Sequence, residues 1–195
     1  MKNHIPKEER KNFQIKVDDE AYTTGEALLR IGAGEGQTDV RGAIVVADTL
    51  TNDIRGSRNA TPASPQELVQ RVDRLRRGLF AAGAAAVVIC EAKPMQCVDV
   101  TQHNILLSQY LESMEEGGFG CRTQIRRSYL KEKDGFHIRP EFSSILDRTY
   151  ACAILGIHVP CPTPLEDFTP DHVRRRWERE WPRVGRAGIG RAPVF

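Results

Sequence analysis

Two apolar runs, Val40 to Ala47 and Ala84 to Cys90, flank a segment that opens on Ser64-Pro65-Gln66-Glu67 and closes at Gly83. No other feature of the chain limits its fold as much. Neither run alternates apolar with polar residues, so each suits a strand covered on both faces, as in a parallel sheet. The segment between them carries strong helix signals: Ser64 as N-cap, Pro65 at the first helical position and Glu67 completing a capping box. Leu68, Val72, Leu75 and Leu79 recur on one face, which leaves Arg71, Arg74 and Arg77 for solvent. Parallel strands need such a crossover. The two runs are therefore expected as adjacent or near-adjacent interior strands of one sheet.

The rest of the chain repeats this alternation. Phe13, Ile15 and Val17 mark a short strand over Asn12 to Val17, and Thr23-x-x-Glu26 is a capping box opening a helix with Ala27, Leu28 and Ile31. Gly32 to Gly36 follows a helix rather than joining a strand to one, so it reads as a helix end and loop, not a phosphate cradle. Thr101 to Glu116 is expected to be helical, with Ile105, Leu106, Tyr110 and Met114 inward. Cys121 to Arg127 reads as a fourth strand, and Pro140 to Leu155 as a helix burying Phe142, Ile145, Leu146, Thr149 and Ala153. The fold class implied is α/β, a parallel sheet with helices on both faces in a three-layer αβα sandwich. The domain spans residues 12–158. Residues 159–195 hold a Pro-rich linker (Val159 to Pro164), a helix with Val173, Trp177 and Trp181 on one stripe, and a frayed Gly- and Arg-containing end.

Charge and cysteine usage narrow the function classes. No apolar run approaches the ~20 residues that span a bilayer, and Met1 to Arg10 is polar and charged, unlike a secretory signal. A cytoplasmic or nuclear protein with no membrane partner is expected. Cys90, Cys97, Cys121, Cys152 and Cys161 are odd in number with no C-x-x-C, which favours reduced thiols over a disulfide pair or a zinc site. Residues 166–195 hold seven arginines against five acids, so the net +2 resides there. Arg174, Arg175, Arg176 and Arg179 are the candidate contacts for an RNA or protein partner. A solvated face opposite the Trp177–Trp181 stripe is preferred, since +2 is weak for nucleic acid.

Two stretches carry chemistry. Lys133 to Phe142 is a turn with Asp134 three residues ahead of His137, and Gly135 lets the two share a side. There the carboxylate accepts the Nδ1 proton and leaves Nε2 as a base. Asn52-Asp53 follows the Val40–Ala47 run, at the strand end where ligands bind in open α/β sheets. No histidine has metal-ligand spacing: His4, His158 and His172 are isolated, and His103 reads as a surface or core residue. No metal and no cofactor is expected.

In this order the two stretches resemble signature blocks of the SGNH (GDSL-type) hydrolases. Asn52-Asp53 is similar to the "G-x-N-D" block and Asp134-x-x-His137 to the terminal "D-x-x-H" block, and the likeness covers about residues 20 to 156. It implies an SGNH-hydrolase-like, flavodoxin-like sheet and three roles: His137 as base, Asp134 orienting it, and Asn52 stabilising an oxyanion. Thr51 and Asp53 would line the crevice. The likeness omits the nucleophile. No serine or cysteine occurs between Met1 and Gly56, no glycine stands at Ala21-Tyr22-Thr23, and Leu50-Thr51 replaces Gly-x before Asn52. Three readings follow from the resemblance. One is an SGNH-fold binding module without hydrolase activity. Another is a hydrolase of small esters or acetyl groups whose first block is not in this sequence. The third is an RNA-binding domain, as in Oskar's C-terminal domain, which looks like an SGNH hydrolase without catalytic residues.

Overall fold

The computed structural model describes residues 22–56, 61–114, 118–121, 123, 125–131 and 133–154. Its centre is a parallel sheet of three strands in the order β1 (Ile44–Ala47), β2 (Ala86–Cys90) and β3 (Gly118–Cys121). Ile44 to Ala47 pair with Ala86 to Ile89, and Val87 to Cys90 pair with Gly118 to Cys121. Among the described residues five α-helices pack around it: α1 (Thr24–Leu29), α2 (Leu50–Arg55), α3 (Pro65–Ala81), α4 (Thr101–Glu112) and α5 (Ser143–Ile154). The class is α/β.

Strand order dictates where the helices go. Two crossovers of the same hand, advancing across the sheet without reversal, bring both connecting helices to one face. Val45, Ala47, Val87 and Ile89 accordingly join Leu68, Val72, Leu75 and Leu79 of α3 and Leu107 and Leu111 of α4 in one core. The alternate residues Val46, Val88, Cys90 and Cys121 point the other way and pack with Tyr150 and Ala153 of α5. A smaller cluster of Ile125, Tyr129, Leu130, Phe142 and Ile145 supports the segment leading into α5, with the Tyr129 and Phe142 rings stacked at 4.3 Å.

The local signals of α3 are realised in full. Ser64 and Glu67 exchange capping hydrogen bonds, Pro65 opens the helix, and Leu68, Val72, Leu75 and Leu79 are buried. Thr23 and Glu26 form the corresponding box on α1.

Four expectations are corrected. β1 pairs with β2, but among the described residues it is an edge strand, and Ile44 is 42% exposed. The expected strand over Cys121 to Arg127 ends where its neighbour ends, because Cys121 pairs with Cys90, the last residue of β2. Beyond it, Arg127 to Tyr129 form a 3-10 turn. In α4 the buried residues are Leu107 and Leu111, while Ile105 is exposed. Three consecutive apolar residues leave the rotation of that helix undetermined. Asn104 decides it by exchanging two hydrogen bonds of 3.0 Å with the Ala92 backbone, and Leu107 and Leu111 share its face. Arg71 leaves the solvated stripe of α3 to pair with Asp53.

Arg148 of α5, which the periodicity leaves outside, is also buried. The Asn12–Val17 strand, the residue 159–164 linker, the Trp177–Trp181 helix and Arg174, Arg175, Arg176 and Arg179 lie outside the described residues. Among the described residues no helix is long and apolar enough to cross a membrane.

Candidate active site

The turn holding Asp134 and His137 is the tip of a short loop closed by backbone hydrogen bonds. Lys131 N–H donates to the His137 carbonyl at 2.8 Å and Arg139 N–H to the Tyr129 carbonyl at 2.9 Å, around a bridge between Leu130 and Ile138. Gly135 makes the reversal at φ +60, donating its own N–H to the Lys131 carbonyl. Only glycine adopts that backbone region without penalty. Space requires it too, since a Cβ at Gly135 would meet Gln96 Oε1 at 2.6 Å.

This geometry brings acid and imidazole together. Asp134 Oδ1 accepts the backbone N–H groups of Phe136 (2.9 Å) and His137 (2.8 Å), and Oδ2 lies 3.0 Å from His137 Nδ1. Those backbone donors, followed by the imidazole, hold the Asp134 carboxyl at a pKa of about 2. The His137 side chain is 62% exposed. With Nδ1 engaged by the carboxylate, Nε2 is the nitrogen able to take a proton from an incoming group.

The turn is docked on the C-terminal end of the sheet. Gln96, in the loop after β2, donates its backbone N–H to the Gly135 carbonyl at 3.0 Å. Phe136 lies under the guanidinium of Arg55, 4.5 Å from ring centroid to Cζ. Arg55 is the last residue of α2, the helix that begins just beyond β1 and carries Asn52 one turn earlier. Thus Asn52 and the Asp134–His137 turn belong to the same end of the sheet.

Within α2 the two polar neighbours do different things. Asn52 Nδ2 donates to the Tyr22 carbonyl at 2.8 Å. Asp53 is 1% exposed and accepts the Thr24 backbone N–H (2.9 Å), the Thr24 hydroxyl (3.0 Å) and Arg71 Nη1 (3.1 Å). Thr51 is buried as well, its Oγ1 accepting the Lys93 backbone N–H at 3.0 Å. Asp53 and Thr51 therefore do not line an open crevice. Their side chains tie α1 and the loop after β2 to α2. Thr23 and Thr24 use their hydroxyls as anchors of α1, whereas the Thr49 hydroxyl at the start of α2 is buried with no hydrogen-bond partner among the described residues.

A second polar cluster, formed by Asp48, Lys93 and Tyr150, has no local motif in the sequence. Lys93 Nζ lies 2.6 Å from Asp48 Oδ2, and the Tyr150 hydroxyl donates to the same oxygen. Burial, then the charge of Asp48, pushes the Tyr150 hydroxyl far above its usual range. Asp48 Oδ1 is buried with no hydrogen-bond partner among the described residues. Asp48 follows β1 and so had a positional signal. Tyr150 is 102 residues away and had none. His103 is a packed residue, its Nε2 3.0 Å from the Ala63 carbonyl. Among the described residues no group of three or more His, Cys, Asp or Glu side chains is disposed to hold a metal ion.

No protein-family model matches the chain, and neither the curated proteins nor the solved structures contain a match to it.

Proposed function

We propose that this chain is an SGNH/GDSL-hydrolase-fold protein with a base and its orienting acid but no esterase activity of its own. The observation carrying this reading is the Asp134–His137 pair, with Oδ2 3.0 Å from Nδ1 and Oδ1 bound to two backbone N–H groups. Three further features support it. Helices pack against both faces of the parallel sheet, in keeping with a three-layer αβα sandwich. Asn52 and the turn stand at the same end of that sheet, linked through Arg55 and Phe136. Residues 1–56 contain neither serine nor cysteine.

The missing nucleophile decides between binding and catalysis. A His-Asp pair orients water, but without a serine it loses the covalent step that divides acyl transfer into two easier ones. Loss of a triad serine lowers the rate by about 10⁶-fold. A fluorophosphonate probe is therefore expected to leave the chain unlabelled, and aryl acetate hydrolysis to be the same in wild type and His137→Ala. Labelling of a serine or threonine that disappears in His137→Ala would overturn the proposal. It would favour the alternative of an active ester or acetyl hydrolase, for which the exposure of the His137 ring is the supporting observation.

A further inference from the structure

We infer that Cys90 and Cys121 form a reactive dithiol that peroxide closes to a disulfide across β2 and β3. The two residues end their strands and are register partners. Adjacent strands lie about 4.8 Å apart, inside the roughly 4.4–6.8 Å between Cα atoms that disulfides span. Register partners on parallel strands point their Cβ atoms to one face, and both side chains belong to the cluster beneath α5. Both are free thiols. The inference does not depend on the chemistry of His137.

The two thiols are not equivalent. Cys90 is 0% exposed on the central strand, whereas Cys121 is 8% exposed on β3, an edge strand among the described residues. The neighbouring Cys121 sulfur, then burial, pushes the Cys90 thiol well up. A hydrogen bond with Cys90 draws the Cys121 thiol down, against burial and the nearby charges of Asp48 and Glu91. Cys121 is thus the attacking sulfur and Cys90 the resolving one.

The chemistry balances with hydrogen peroxide as oxidant. The Cys121 thiolate attacks one peroxide oxygen, the O–O bond breaks, and the departing hydroxide takes a proton to become water. Cys121 is left as a sulfenic acid. The Cys90 sulfur, losing its proton, displaces the sulfenic oxygen, which leaves as a second water while the S–S bond forms. Two thiols are oxidised and one peroxide is reduced to two waters. A bond between direct register partners on parallel strands is strained, so thiol reductants should reopen it readily.

The test uses the full chain. After reduction, peroxide treatment and alkylation in denaturant, cleavage at Glu91, Glu112 and Glu116 separates Cys90, Cys97 and Cys121 onto different peptides. The expected result is a Cys90–Cys121 linked pair, absent without peroxide and lost with dithiothreitol. Dimedone should trap a sulfenic acid at Cys121 in Cys90→Ser and none at Cys90 in Cys121→Ser. The inference is overturned if both thiols stay fully alkylatable at a peroxide dose that oxidises the exposed Cys97. Linkage of either residue to Cys97, Cys152 or Cys161 instead of to its register partner overturns it equally. The wild-type map decides the question even if a serine variant fails to fold.

Discussion

Asp134 holds His137 at two points, its Oδ1 accepting the histidine's backbone N–H at 2.8 Å and its Oδ2 meeting ring Nδ1 at 3.0 Å. One carboxylate therefore sets both the path of the turn and the orientation of the imidazole. An asparagine at position 134 could cap the turn but would carry no charge to hold an imidazolium.

The first prediction concerns the titration of Asp134. Its folded pKa of about 2 lies below the ordinary aspartate value of about 3.9. The group thus favours the folded turn above about pH 4, and that contribution is lost as pH falls toward about 2. Carboxyl carbon NMR should place the Asp134 midpoint near the lower value. A midpoint near 3.9 would mean that the backbone donors are not engaged.

Gly135→Ala should open the turn. The left-handed backbone costs a side-chain residue roughly 1–2 kcal/mol, and the added Cβ also meets Gln96. Urea unfolding should register a loss of at least about 1 kcal/mol, and the His137 ring signals should move toward those of Asp134→Asn. A neutral substitution would show that φ at this position is not positive.

Arg71→Ala removes the cation from a carboxylate that is 1% exposed. Breaking a fully buried pair from one side costs about 3–5 kcal/mol, and the Arg71 side chain, 21% exposed, lowers that figure here. The lower end is expected, because Thr24 still donates twice to Asp53. Pairing the change with Asp53→Asn should recover part of the loss. A double variant no more stable than Arg71→Ala alone would argue against an uncompensated charge as the cause.

Two adjacent leucines test the rotation of α4. Leu107 is fully buried and Leu106 is not. Leu107→Ala should cost about 2–5 kcal/mol, with Leu106→Ala well below it in the same denaturation experiment. Equal losses would indicate the inward face expected from periodicity.

The candidate site was partly readable before folding. Asp134, Gly135 and His137 lie within four residues, and a short acid-glycine-histidine turn has few ways to arrange itself. Asn52 was legible by its position at the end of an apolar run. The burial of Asp53 and Thr51 was not, since it depends on Arg71, Thr24 and Lys93 arriving from other elements. Arg55 meeting Phe136 is hidden for the same reason.

Local sequence sufficed for the α/β class, the β1-α3-β2 unit, both capping boxes and the buried leucine face of α3. Each depends on residues close in the chain: hydrophobic period, cap chemistry and the crossover that parallel strands demand. Tertiary structure alone decided the rotation of α4 through Asn104 and Ala92, the withdrawal of Arg71 to Asp53, and the meeting of Asp48, Lys93 and Tyr150. It also decided that Cys121 should stand beside Cys90. The physical reason is that a polar side chain goes where burial and a partner of opposite character coincide, and the partner's place is set by packing rather than by sequence distance.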